Sequence, residues 1–155
     1  MKLTLIRTAR ETGKETFSTW PSDTLMEKMK TENKAGHISA LRSLIPHITG
    51  SNGHYPCIRI CPAAEYAGSK EGERYLKTYN GLVQIEVNHL ANAVEVEQVK
   101  RQAALLPQTF AAFCGSSGRS VKIWVLFATP DGSRPRQEEK IRLFHTAAYR
   151  LAGNC

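Results

Sequence analysis

Residues 80–90 read NGLVQIEVNHL, and the way this stretch is read decides the rest of the chain. Side chains on a strand alternate between its two faces, so Val83, Ile85 and Val87 point to a core while Gln84, Glu86 and Asn88 form a polar row. Glu86 and Asn88 then share a face, about 6.6 Å apart along the strand. Two oxygen-bearing side chains so placed suit a hard cation such as Mg2+, which takes one or two protein ligands and completes its shell with water or phosphate oxygens. The plainer reading is a half-buried strand with a solvated polar face.

Downstream, residues 91–106 carry Val96, Val99, Ala103 and Leu106 at helical spacing and stop at Pro107. A strand over 109–114 runs into the small-residue turn Gly115-Ser116-Ser117-Gly118-Arg119. The next strand, 120–129, puts Val121, Ile123, Val125 and Phe127 on one face and Ser120, Lys122, Trp124 and Leu126 on the other. Two strands joined by a short Gly-containing turn form a hairpin. Residues 130–136, PDGSRPR, make a turn and a basic link. A last helix over 137–152 has Ile141, Phe144, Ala148 and Leu151 on its apolar stripe.

Upstream, residues 2–9 (KLTLIRTA) read as a first strand with Leu3 and Leu5 on one face. A helix opens at Pro21 and Ser22, where Ser22, Asp23 and Thr24 are N-cap candidates and Glu27 stands three after Thr24. A second helix is expected over 37–45, ended by Pro46, with His37 and His47 flanking it as ordinary surface histidines. Residues 56–61, PCIRIC, are bounded by prolines and read as a short or edge strand. Residues 63–77 alternate in charge, contain Gly68 and Gly72, and read as a loop or frayed helix. The element order is mixed, which predicts an α+β fold with one predominantly antiparallel mixed sheet and packed helices.

At 155 residues the chain has the length of one domain and needs no disulfide or metal for a core. Cys57, Cys61, Cys114 and Cys155 lack zinc-site spacing and suit a reducing compartment. There is no signal-peptide apolar region and no run of membrane-span length, so a cytoplasmic protein without a membrane partner is expected. Twenty-one Lys and Arg against 14 Asp and Glu give a net charge of +7, which favours polyanionic partners. A turn of small residues with outward amides, backed by Arg119 and Lys122, is a reasonable cradle for phosphates. A solvated basic surface with no such role is the plainer reading of the same charge.

NGLVQIEVNHL, followed after about thirty residues by FCGSSGRSVKIWVLF, resembles the N-terminal domain family of virulence-associated protein E (VirE) homologues of bacterial mobile elements. The order of the remaining elements agrees with that resemblance over most of the chain. It implies a primase-polymerase-like, RRM-related core of the archaeo-eukaryotic primase superfamily, here one primase-like domain over 1–155. Because the sequence stops directly after a helix, the domain is expected to be the front part of a longer replication protein that carries a helicase-type domain.

The activity implied is metal-dependent nucleotidyl transfer, with single-stranded DNA or RNA and a nucleoside triphosphate as partners and Mg2+ or Mn2+ as cofactor. On that mapping Glu86 and Asn88 are metal ligands, and Ser116, Ser117, Gly118 and Arg119 form the phosphate turn. Lys122 takes the nucleotide-contacting position. Apart from that mapping, the basic Arg134 and Arg136 are expected to grip nucleic-acid phosphates, and Trp124, on the strand face of Lys122, stacks on a base if exposed and belongs to the core if buried. The family pattern has D-x-D and a second turn glycine where this chain has Glu86, Asn88 and Ser120. A third carboxylate has no candidate better than Asp131. These departures point to the alternative: a catalytically inactive module that binds single-stranded nucleic acid, or a structural domain, beside a helicase-type domain.

Overall fold

Leu3 and Leu5, on either side of Thr4, are buried on one side of strand β1 (Lys2–Thr8). The computed structural model describes residues 1–8, 12–34, 58–68, 74–115 and 117–153. Two units, Met1–Asn80 and Gly81–Cys155, divide the chain.

In the first unit β1 pairs antiparallel with β2 (Glu15–Pro21) and with β3 (Ile58–Cys61), in the order β2-β1-β3. The proline-flanked strand thus lies at an edge, as expected, while β2 occupies residues for which the sequence suggested no element. Helix α1 (Ser22–Lys34) starts at the expected serine, whose amide donates to the Met1 carbonyl at 3.0 Å, and it buries Leu25. The helix expected over 37–45, with His37 and His47, lies outside the described residues, as do Cys57 and Cys155. Of residues 63–77, expected as a loop or frayed helix, 64–68 and 74–77 are extended, while 69–73 lie outside the described residues. The extended residues contribute to a second, two-stranded sheet of β4 (Ala64–Gly68) and β5 (Arg74–Tyr79), antiparallel with a bulge at Glu65/Tyr66.

Two of the charges that disguised this hairpin are paired across it. Lys77 donates to Glu65 at 3.0 Å, and Glu65 is almost wholly sheltered. Thr4 joins the two sheets of this unit: its hydroxyl donates to the Ala64 carbonyl (3.0 Å) and accepts from the Tyr66 amide (2.8 Å). Asn80 closes the unit by donating from its side chain to the carbonyls of Lys2 and Pro62.

The second unit follows the sequence reading closely. Its elements are β6 (Leu82–Val87), α2 (Ala93–Leu105), β7 (Thr109–Cys114), β8 (Val121–Leu126) and α3 (Glu138–Ala152), with the sheet in the order β6-β8-β7 and every pairing antiparallel. This split βαβ with a following hairpin and helix has the connections of the first five elements of a ferredoxin-like arrangement. Both helices pack on the face that carries Val83, Ile85, Val121 and Ile123. Val96 and Ala103 of α2 meet Val121 and Ile123, while Ala148 and Ala152 of α3 meet Val83.

Two residues expected on the apolar stripes fall outside them. Leu106 is exposed because it is the extended C-cap of α2, and Leu151 is exposed because the buried row of α3 runs through Ala148 and Ala152 at i, i+4 spacing. The α+β class and antiparallel pairing are those the sequence implied, with the strands distributed over three sheets. Among the described residues no helix is long and apolar enough to cross a membrane.

Candidate functional site

The face of the second unit's sheet opposite its helices carries the polar row of β6. Strand register places Glu86 opposite Lys122 and Gln84 opposite Trp124. Lys122 Nζ lies 2.9 Å from Glu86 Oε2, and the Ser120 hydroxyl donates to Glu86 Oε1 at 3.0 Å. Both charged side chains are about one-third exposed. The hydrogen bond from Lys122 holds the Glu86 carboxyl below its ordinary value, against the opposing effect of burial and with help from Ser120.

The turn between β7 and β8 stands beside this pair. A Cβ at Gly115 would lie 2.1 Å from the Ser120 hydroxyl that serves Glu86, so a larger residue there would turn that hydroxyl away. Gly118 sits at φ 74. Of the amides expected to form a cradle, three are spent within the turn. The Gly115 amide donates to the Ser120 carbonyl, Gly118 to the Gly115 carbonyl, and Arg119 to the Ser117 hydroxyl. Chain reversal through a tight turn consumes these three donors, and Arg119 and Lys122 stand beside it as cations. Ser116 lies outside the described residues.

Arg119 also ties the turn to the loop after β6. Its Nε donates to the Leu90 carbonyl at 3.0 Å, and its carbonyl accepts from the Leu90 amide at 3.0 Å. From the other side, Asn92 caps α2 by accepting from the Glu95 amide, while the Glu95 carboxylate accepts from the Ala91 amide. Between these anchors His89 adopts φ 61, a conformation uncommon for a residue with a Cβ, and Asn88 and His89 are both exposed.

Residues 55–155, well over half of the chain, match the family described as BT4734-like, N-terminal domain. The chain belongs to this family. In this BT4734-like chain the match takes in the whole sheet, pair and turn described above, whereas the likeness to VirE proteins rests on the motifs quoted from the sequence alone. No curated protein and no solved structure matches.

A divalent cation is a poor fit to the side chains of the BT4734-like sheet. Both Glu86 oxygens are engaged, one by an ammonium, and Asn88 adds only a neutral amide. Among the described residues no three His, Cys, Asp or Glu side chains are grouped to hold a metal ion. Asp131 is committed elsewhere. It accepts from the Thr129 hydroxyl and from the Ser133 amide and hydroxyl, which hold its carboxyl down to about 2.

The remaining candidates separate. Arg134 lies against Gly81, where an added Cβ would be 2.9 Å from its Nε. That is the opposite end of β6 from Lys122 and Arg119, and the exposed Arg136 follows it in sequence. Trp124 settles on the buried alternative: it is 0% exposed, donates from Nε1 to Gln84 at 2.9 Å and meets the Phe113 ring edge-on at 5.0 Å. Its ring is therefore not available to stack on a base, because it completes the packing of the middle strand. Two contributors escaped the sequence reading, Gln84 as the partner of Trp124 and Ser120 as the partner of Glu86. The strand alternation that put Ser120, Lys122 and Trp124 on one face was the signal for both.

Proposed function

We propose that this BT4734-like domain is a primase-derived module that binds single-stranded nucleic acid through its phosphates and leaves nucleotide transfer to other parts of the machinery. One observation carries the reading: the acid placed to hold a catalytic cation is held instead by Lys122, at 2.9 Å. Metal-assisted transfer needs carboxylates that face the cations bridging attacking and leaving oxygens, and an internal ammonium at that position competes with them. The lysine and Arg119 at the same end of the sheet, within a chain of net charge +7, favour a phosphate backbone as ligand. A helicase-type domain is the natural companion for such a module.

The test has two parts, both on the full chain. Anisotropy of a labelled single-stranded oligonucleotide, DNA and RNA in parallel, should report binding that weakens steeply as salt rises, because neutralised phosphates release counterions. Template-directed incorporation with Mg2+ or Mn2+ should give no product that depends on Glu86. Incorporation that disappears in Glu86→Ala would overturn the reading in favour of an active primase-polymerase with metal at Glu86 and Asn88. Affinity unchanged between low and high salt would remove the phosphate account altogether.

A further inference from the structure

Resting on the phosphate-binding reading, we infer that Glu86 is an internal competitor for Lys122, holding its ammonium on the sheet until a nucleic-acid phosphate takes it over. Glu86 and Lys122 are directly opposite in the β6/β8 register, so their side chains meet without any backbone adjustment. Ser120 fixes the other carboxylate oxygen at 3.0 Å, and Gly115 leaves the space that the serine hydroxyl needs. The carboxylate is thus anchored independently of the lysine and stays in place when the lysine leaves.

Lys122 is the movable partner. Its side chain, a long stem ending in an ammonium, is about one-third exposed and so open to solvent and to a ligand. An ion pair open to water to this degree contributes little net stability, so a phosphate can displace it. The carboxylate opposes an incoming anion by occupying the cation that would receive it. Weak anions are rejected, and a strand that offers several phosphates to Lys122 and Arg119 together is accepted.

The experiment is anisotropy of a fluorescein-labelled single-stranded oligodeoxynucleotide with the full chain and three variants: Glu86→Gln, Lys122→Gln and the double substitution. At 86 glutamine keeps the shape of glutamate and an oxygen for Ser120, and at 122 it replaces the ammonium by a shorter, neutral amide. Glu86→Gln should bind about two- to fivefold tighter, the range set by release of one partly exposed ion pair. Lys122→Gln should bind more weakly than the wild type, and the double variant should bind like Lys122→Gln alone. A gain that persists without Lys122 would be a general charge effect and would overturn the inference.

Equal or weaker binding by Glu86→Gln would also overturn it, while leaving the phosphate-binding reading intact if the wild type binds and Lys122→Gln weakens it. Failure of the wild type to bind the oligonucleotide, or indifference to Lys122→Gln, would remove the phosphate-binding use of Lys122 and the competition with it.

Discussion

Replacing Thr4 by valine keeps the shape of a fully buried side chain and deletes a hydroxyl that serves two partners on β4. Each hydrogen bond contributes about 1 kcal/mol net, so the loss should be about 2 kcal/mol, reduced somewhat by the added apolar burial. Thr4→Ser is the control, since it keeps the hydroxyl and gives up one methyl worth about 0.8 kcal/mol. The two tryptophans divide the labour of measurement: Trp20 stands on β2 of the first unit and Trp124 on β8 of the second. With Trp124 changed to phenylalanine in every sample, Trp20 fluorescence reports urea unfolding of the first unit. At a slope of about 2 kcal/mol/M, Thr4→Val should lower the midpoint by about 1 M and leave the slope unchanged. A valine midpoint at or above that of the serine variant would refute the claim that this hydroxyl holds the two sheets of the unit together.

Gly81 has φ +75, and an added Cβ would stand 2.4 Å from the Phe127 carbonyl oxygen. Gly81→Ala should therefore destabilise the second unit by at least about 1–2 kcal/mol from the backbone conformation alone, and thermal unfolding as steep and as high as the wild type would contradict that geometry. Asp131 should titrate near 2 rather than at its ordinary 3.8, followed by carboxyl NMR. Because the folded value is depressed, its contribution to stability is present above 3.8 and is lost as pH falls through about 2. A midpoint at 3.8 would mean that Thr129 and Ser133 do not hold the carboxylate in solution.

The second unit was legible because its signals are local. The alternation of Val83, Ile85 and Val87, that of Val121, Ile123 and Val125, and the glycine turn between β7 and β8 each lie within a few residues, and each is realised. The β4–β5 hairpin was not, because Glu65 and Lys77 look like solvated charges until a partner strand brings them together. β2 was missed for a related reason: Ser18 and Thr19 are both exposed, so the burial alternation breaks where a strand reading would look for it. At the site, sequence identified Glu86 and Lys122 separately, but their contact depends on a register between strands 36 residues apart. Whether turn amides point outward, and whether Trp124 is covered, are likewise properties of neighbours rather than of spacing.

The place of β8 between β6 and β7 carries a consequence for biosynthesis. The ribosome delivers β6 first and β7 next, yet in the finished sheet these two strands do not touch. Leu82 has to wait for Leu126, the last residue of β8, before its ladder can close. Until then a strand bearing Leu82, Val83 and Ile85 presents an unpaired edge, a template for wrong partners. The β7–β8 hairpin, joined by a short turn, can form within microseconds of its release, and β6 then docks on it across the connection that carries α2. Slow synthesis between β6 and β8 would lengthen the interval in which the nascent chain needs a chaperone.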